Sequence, residues 1–150
     1  MPKDAQNNLI VTAASKAFGP SLLALLGSLT LNWPDHPPVL VYDLGLDKTT
    51  LNWLETKQIS VTRIPSFCPH WRQHFTWKIW CLNDANAQNI LWMDSGLVVL
   101  QPLNEIFEVL HSQGYFFTVN YESLEWEASE EACKGCGLST DFRNNKLIYG

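Results

Sequence analysis

Apolar residues are distributed along the chain in short runs and in longer periodic segments. The short runs are rich in Val, Ile and Leu, are bounded by polar or turn-forming residues, and occupy residues 8–15, 39–42, 59–64 and 90–93. Runs of this length and composition are typical of strands that lie inside a sheet covered on both faces. The sequence therefore predicts four strands, of which the first and the fourth are buried, and residues 115–119 predict a further strand.

The segments between these runs have helical spacing. The first helix begins near Pro20, ends before Pro34 and places four large side chains on one face: Leu22, Leu26, Leu29 and Trp33. Asp47 is the expected N-cap of a second helix. A third helix is predicted over residues 76–87, with three inner residues: Ile79, Trp80 and Leu82. A fourth helix follows Asn104 and ends at Gly114.

Strands and helices thus alternate from residue 8 to about residue 120. Such alternation predicts right-handed crossovers and an α/β fold, a three-layer sandwich with a mostly parallel central sheet. We expect a single domain over residues 1–150, with its core at about 8–120. Ligands of such folds bind beyond the carboxyl ends of the strands. The candidate site therefore comprises Thr12 to Ser15, Asp43, the loop after Ile64, and Asp94 to Gly96.

Composition narrows the class of protein. Hydrophobic residues make up 46% of the chain and charged residues 17%, which excludes a disordered chain. The net charge of −5 and the absence of a basic patch argue against nucleic acid as a partner. A bound phosphate would need local donors or a metal ion, because the overall field of the chain does not favour anions.

The two ends of the sequence bear on where the protein is expected to reside and on how much of it this chain represents. The polar start is not a signal peptide, and no apolar stretch is long enough to span a bilayer, so a cytoplasmic protein is the default expectation. The final residues, 146–150, read as the beginning of a strand and a turn. We therefore expect that the chain is the first part of a longer catalytic domain.

Asp94 is the most informative polar residue. It follows the predicted fourth strand directly, so its carboxylate is expected to project from a rigid strand end into a crevice. A carboxylate in that place suits Mg²⁺ or Mn²⁺, which in turn would hold the two phosphates of a nucleotide and offset charge on a leaving diphosphate. Ser95 is a potential hydrogen-bond partner of the ligand, and Gly96 allows a close approach. The alternative is that Asp94 only turns the chain.

The sequence Ile90-Leu91-Trp92-Met93-Asp94-Ser95-Gly96-Leu97-Val98-Val99, together with the order of elements, resembles the nucleotide-sugar transferases of the GT-A fold. It is most similar to glycosyltransferase family 8, whose hallmark is a hydrophobic strand followed by Asp-x-Asp. The resemblance covers about residues 8–120. It implies transfer of a sugar from a nucleotide-diphosphate sugar, such as a UDP-sugar, to a hydroxyl acceptor.

The resemblance also implies roles for individual residues. Asp94 is the metal ligand, and Mn²⁺ or Mg²⁺ is the implied cofactor. The residues that would contact the donor lie at the ends of the strands and on the third helix: Thr12, Ala13, Ala14, Ser15, Asp43, Lys78, Ser95 and Gly96. The ordinary alternative is a tight turn for residues 12–15 and for Asp43, and a solvated lysine for Lys78. The sequence assigns no catalytic base.

One position departs from the family pattern. Gly96 stands where the motif has its second Asp, so Asp94 would be the only metal ligand that this motif supplies. A metal-independent transferase and an inactive or partial relative that only binds a nucleotide-sugar therefore stay open. A phosphatase of the haloacid-dehalogenase type also uses an aspartate at a strand end, but it needs that residue on the first strand.

Three further features have weaker functional interpretations. His70 and His74 are four residues apart, so on a helix they would share a face and could bind a metal ion. Pro69 instead favours a loop, in which three residues either line the crevice or pack against the core: Trp71, Arg72 and Phe75. Cys133 and Cys136 lack the further ligands of a zinc site, and we interpret them as incidental thiols. The glutamates of residues 122–131 are expected to form a solvated face, with a catalytic base as the alternative.

Overall fold

The structure is a computed structural model that describes residues 7–117, 119–120, 129–139 and 148–149. The chain divides into two compact units, Met1–His111 and Ser112–Gly150. The predicted single-domain organisation over residues 1–150 stays a prediction. Within the described residues no helix combines the length and the apolar character that crossing a membrane requires.

The first unit is built on a four-stranded sheet in which every neighbouring pair is parallel. Its strands are β1 (Asn8–Ala14), β2 (Val39–Asp43), β3 (Ser60–Arg63) and β4 (Asn89–Trp92), in the spatial order β3-β2-β1-β4. Four helices alternate with the strands or follow them: α1 (Gly19–Asn32), α2 (Lys48–Thr56), α3 (Thr76–Asp84) and α4 (Asn104–Gln113). The predicted α/β fold with a parallel central sheet is confirmed.

Side chains of β1 alternate between two apolar layers, as the pleat of a strand requires. Ile10 and Ala14 pack in the layer that contains α1, whereas Val11 and Ala13 pack in the layer that contains α3. The four predicted inner residues of α1 are all buried, which confirms the helical periodicity: Leu22, Leu26, Leu29 and Trp33. The predicted N-cap is also confirmed, because the Asp47 carboxylate accepts a 2.8 Å hydrogen bond from the Thr50 amide.

The inner face predicted for α3 is wrong. Ile79 is 71% exposed and Leu82 is 37% exposed, while Trp77 and Cys81 are buried. These two residues are one helical turn apart and point into the sheet, and Trp80 packs only partly against their cluster. Apolar residues occupy every side of this short helix, so the spacing did not indicate which side faces the sheet.

Other element boundaries also differ from expectation. The helix predicted over residues 76–87 ends at Asp84, because Ala85 adopts an extended conformation. β4 is half-buried, since it lies at one edge of the described four-stranded sheet. Of the strand predicted at residues 115–119, residues 115–117 have no regular structure, and Val119 belongs to β5.

A partly buried hydrogen bond joins the sheet to α3. The Tyr42 hydroxyl, fully buried in β2, donates to Asp84 Oδ2 at 2.9 Å. Burial, and then the bond to Asp84, raise the pKa of Tyr42 above its ordinary value. Because this bond fixes the end of α3 against the sheet, it helps to set where the start of the same helix lies.

The second unit is small in its described part. β5 (Val119–Asn120) pairs antiparallel with β6 (Ile148–Tyr149), and α5 (Glu130–Gly135) is capped by the Ser129 hydroxyl, which accepts from the Ala132 amide. Cys133 is buried and Cys136 is exposed, and the two are not joined in a disulfide. Most of the acidic stretch at residues 122–131 lies outside the described residues.

Candidate functional site

The strand order places a crevice at one end of the sheet. From β1 the chain proceeds through β2 to β3 on one side and then returns to form β4 on the other side of β1. The strand order therefore reverses direction at β1, which makes the place between β1 and β4 a topological switch point. Ligands of open α/β sheets bind at such a point, in the crevice beyond the carboxyl ends of the strands. Asp94 lies two residues after the end of β4, and Ser15 follows β1 directly.

A pocket of about 590 Å³ occupies this crevice. It is lined by the end of β1 and the turn after it, the loop before α3, the first turn of α3 and the residues after β4: Ala13, Ala14, Ser15, Phe18, Leu44, Arg72, Phe75, Trp77, Lys78, Asp94, Ser95 and Gly96. The parallel ladder carries the two strand ends to the same place, since Val11 is paired with Trp92 and the Met93 amide donates to the Val11 carbonyl at 2.9 Å.

Asp94 faces the pocket and is held by two donors. Its Oδ1 lies 2.9 Å from Lys78 Nζ, its Oδ2 lies 3.2 Å from the same atom, and Trp92 Nε1 donates to Oδ1 at 2.9 Å. The carboxylate side chain stays 58% exposed. Partial burial alone would raise the pKa of Asp94, but the hydrogen bonds from Lys78 and Trp92, with the charge of Lys78, lower it below its ordinary value.

Lys78 is positioned by aromatic rings as well as by Asp94. Its ammonium nitrogen lies 5.7 Å from the ring centroids of both Trp77 and Trp92, within the range of cation–π attraction. The two indoles are themselves in contact, with centroids 5.8 Å apart. The ammonium group therefore has a defined place on the pocket wall, although its side chain is still 37% exposed.

The segment after Asp94 is fixed to α1 by side chains instead of by a strand partner. The buried Ser28 hydroxyl accepts from the Val99 amide at 2.9 Å and donates to the Leu25 carbonyl at 2.7 Å. Asn32 Nδ2, one turn further along α1, donates to the Val99 carbonyl at 2.7 Å. Both polar backbone groups of Val99 are thus satisfied by α1, which anchors the chain just beyond the pocket.

The turn after β1 presents Ser15 to the pocket. Ser15 precedes a short 3₁₀ helix (Lys16–Phe18) without capping it, and the Lys16 amide donates to the Gly45 carbonyl at 2.9 Å. That bond ties the turn after β1 to the turn after β2. Gly45 has a φ of +111°, a conformation that side-chain-bearing residues rarely adopt, so the turn depends on glycine.

The loop before α3 supplies a second cation and an aromatic wall. The Arg72 guanidinium lies 4.9 Å from the ring centroid of Trp71, which is buried. Phe75 has a φ of +54° and is 63% exposed at the edge of the pocket, and Phe18 is 56% exposed there. Exposed phenylalanines beside a crevice are candidates for stacking against a ring of a ligand.

Two of the residues predicted to contact the donor do not line this pocket. Thr12 is fully buried and its hydroxyl has no hydrogen-bond partner among the described residues, so it cannot reach a ligand in the crevice. Asp43 closes a turn, because its Oδ1 accepts from the Gly45 and Leu46 amides, each at 2.6 Å. The contacts of Asp43 are therefore those of a turn-forming residue, the alternative that the sequence left open.

The structure brings the other predicted site residues together: Ala13, Ala14, Ser15, Lys78, Asp94, Ser95 and Gly96. Their roles toward a ligand stay predictions. Sequence reasoning missed Phe18, Trp77 and Trp92. Trp92 had a usable signal, because it lies two residues before Asp94 and side chains two apart in an extended segment share a face.

The residues around Asp94 fit a divalent cation poorly. A hard divalent cation such as Mg²⁺ binds six oxygen ligands, some from protein carboxylates and the others from the substrate and water. In the described part of the chain no group of three or more His, Cys, Asp or Glu side chains is placed to hold a metal. Both oxygens of Asp94 already contact the Lys78 ammonium. The predicted Mn²⁺ or Mg²⁺ cofactor stays a prediction.

His70 and His74 lie in the loop before α3, as expected from Pro69. Their ring centroids are 6.1 Å apart and both residues are exposed. No third ligand joins them within the described residues. Neither histidine lines the pocket.

Comparison with known proteins rests on structure alone. No family model matches the chain, and no curated protein is significantly similar to it in sequence. Among solved structures, the chain is similar to the galactosyltransferase LgtC in complex with donor and acceptor sugar analogues, with a TM-score of 0.59 and 16% identity. It is also similar to S. aureus TarS 1-349, with a TM-score of 0.51 and 18% identity, and to the same protein in complex with UDP, with a TM-score of 0.50.

These likenesses cover unequal shares of the two chains. The match to LgtC includes 94% of this chain and 56% of that protein, and the match to TarS 1-349 includes 73% of this chain and 33% of that one. The chain thus spans about half, or less, of the length of these relatives. At identities this low the likeness speaks for the fold and does not distinguish family 8 from other families. The chain has the GT-A fold of nucleotide-sugar glycosyltransferases.

Proposed function

We propose that the pocket at the ends of β1 and β4 binds the nucleoside diphosphate of a sugar donor, such as a UDP-sugar, for transfer of the sugar to a hydroxyl acceptor. One observation carries this proposal. Lys78, the Asp94 segment and the end of β1 line a single pocket at the switch point of the sheet. Its volume of about 590 Å³ lies within the roughly 300–1,000 Å³ of small-molecule sites.

The charges of the pocket suit an anion. Lys78 and Arg72 are the cationic lining residues, and Asp94 is the carboxylate among them. This local excess of positive charge contrasts with the net charge of −5 for the whole chain. A diphosphate therefore finds a local excess of positive charge in this pocket.

The uncharged part of the lining suits a nucleoside and a sugar. Ala13 and Ala14 leave room at the end of β1, and Ser15 offers a hydroxyl that does not cap the helix after it. The exposed rings of Phe18 and Phe75 stand at the same pocket. Small residues beside aromatic faces are the type of surface that accommodates flat rings and sugars.

In the proposed reaction the bond between the anomeric carbon and the diphosphate oxygen breaks, and its electron pair stays with the diphosphate. The acceptor oxygen forms the new bond to the anomeric carbon, and its proton passes to water. The chain's part is to hold the donor and to stabilise the charge that grows on the leaving diphosphate, for which Lys78 is the best-placed group. The acceptor is a hydroxyl compound of unassigned class.

Calorimetric titration with UDP tests donor binding. We expect wild-type protein to bind UDP and the Lys78→Met variant to bind it about tenfold more weakly, the loss typical of one charge-assisted contact. Lys57→Met is the matched control, since Lys57 also lies near an indole, 5.8 Å from the centroid of Trp53, but outside the pocket. Failure of UDP to bind, or equal losses in both variants, would refute the proposed site.

Hydrolysis of a panel of UDP-sugars then separates a transferase from a binding module. Turnover that disappears in Lys78→Met supports transfer, because many transferases slowly use water as acceptor. UDP binding without turnover of any donor favours the inactive relative. The phosphatase alternative has little support, because the residues after β1 are Ser15 and Lys16 and offer no carboxylate nucleophile at the first strand.

A further inference from the structure

The wall of the pocket carries a positive charge at the place where a metal ion would have to bind Asp94. We propose that Lys78 takes the part of the divalent cation, so that the diphosphate of the donor binds to this chain without a metal. The inference rests on the proposed function, since it concerns how the same donor is held. It is a statement about binding and needs no assumption about the acceptor.

The first argument is the pairing of Asp94. Lys78 Nζ contacts both carboxylate oxygens, at 2.9 and 3.2 Å, and Trp92 Nε1 donates to one of them at 2.9 Å. A divalent ion on these oxygens would have to displace the ammonium group and then remain next to it. Because like charges a few ångströms apart repel strongly in a partly buried site, the pair disfavours a cation.

The second argument is the ligand set. Gly96 replaces the second carboxylate of the Asp-x-Asp motif and contributes no side-chain oxygen. In the described part of the chain, Asp94 belongs to no group of three potential metal ligands. A lone carboxylate that is already neutralised by a lysine leaves nearly the whole coordination shell to substrate and water.

The third argument is that Lys78 is positioned and still has donors to spare. Its ammonium group has three N–H bonds, of which Asp94 engages at most two. The indoles of Trp77 and Trp92 hold it at 5.7 Å from each ring centroid, and the side chain is 37% exposed toward the pocket. A fixed ammonium group on the wall offers a phosphate the point charge that a metal would otherwise supply.

Titration of UDP in EDTA and in Mn²⁺ tests the inference on the wild-type chain. We expect binding in EDTA, with an affinity that Mn²⁺ changes by less than about threefold, because no metal–protein contact is added. A requirement for Mn²⁺, or tightening of more than about tenfold, would overturn the inference and leave the proposed function standing. Absence of UDP binding in both buffers would overturn both.

Replacing Asp94 separates the two kinds of site further. If Asp94 holds a metal that holds the donor, Asp94→Asn loses UDP binding. If Lys78 holds the diphosphate, the same variant removes a negative charge beside it and binds UDP about threefold more tightly in EDTA. The double variant Lys78→Met/Asp94→Asn should recover part of the affinity that Lys78→Met loses, because it no longer leaves an unpaired carboxylate facing the phosphates. No recovery would contradict the inference.

Gly96 permits a gain-of-function test. A Cβ added to Gly96 meets no heavy atom within 4 Å, so the backbone there has room for the start of a side chain. Gly96→Asp restores the second acid of the motif, and we expect it to weaken UDP binding in EDTA and to make the binding respond to Mn²⁺. An equally strong Mn²⁺ response in wild type and variant would contradict the proposal.

Discussion

At the scale of single residues, the site depends on one lysine and one aspartate that fix each other. Lys78 lies against two indoles, and its partner Asp94 receives a further hydrogen bond from Trp92. The arrangement makes the carboxylate a stronger acid than usual despite its partial burial. The residue that was predicted as a metal ligand is therefore placed to orient a cationic side chain.

This pairing predicts how Asp94 titrates. Its lowered pKa means that its contribution to stability is present above the unfolded value of about 3.8 and is lost as pH falls through the lower folded value. In Lys78→Met the pKa of Asp94 should rise, because burial then acts without the opposing ammonium charge. The pKa of Asp94 is measured in wild type and in the variant from its carboxyl carbon chemical shift, followed by NMR as a function of pH.

Asp47 is the internal reference for that titration. Its pKa is also lowered, but the cause is the hydrogen bond from the Thr50 amide at the start of α2. The pKa of Asp47 should be the same in wild type and in Lys78→Met. An unchanged pKa of Asp94 in the variant, or a parallel shift of Asp47, would contradict the assignment of Lys78 as the partner.

At the scale of elements, the pocket depends on how the segment after β4 is attached to α1. That segment has no described strand partner, and Ser28 and Asn32 satisfy both backbone groups of Val99. Ser28 lies within the buried face of α1. Ser28, a polar side chain among the leucines of α1, thus holds the segment after Asp94 against the helix.

Ser28→Ala should destabilise the protein by about 1–3 kcal/mol, the cost of leaving a buried amide without a partner. It should also speed hydrogen exchange at Val99. Thr30→Ala is the control, because the Thr30 hydroxyl donates only to the Leu26 carbonyl within α1 and its residue is exposed. Chemical unfolding and amide exchange provide the two readings, and equal effects in both variants would contradict the proposed anchor.

The elements also show where sequence patterns are informative. Periodicity predicted α1 well because the four large side chains that recur at helical spacing are all buried, although Leu31 of the same helix is 78% exposed. It failed for α3, where Ile79 and Leu82 are exposed and Trp77 and Cys81 are buried. A nine-residue helix with apolar side chains all round does not reveal which face the sheet will cover.

At the scale of the whole molecule, strand order creates the site. The alternation of elements predicts a parallel sheet, but it does not state that β4 joins β1 on the side away from β2. Thr12 shows the limit of reasoning from strand ends, because it lies two residues before the end of β1 and is fully buried, whereas Ala13 and Ala14 line the pocket.

The central claim is that the crevice between the ends of β1 and β4 is where a nucleoside diphosphate binds. Its most direct test is a UDP titration of ¹⁵N-labelled protein followed by amide shifts. The account predicts that the largest changes occur around Ser15, Lys78 and Gly96. Changes centred instead on Val39 and Lys57, at a second cavity of about 430 Å³, would contradict it.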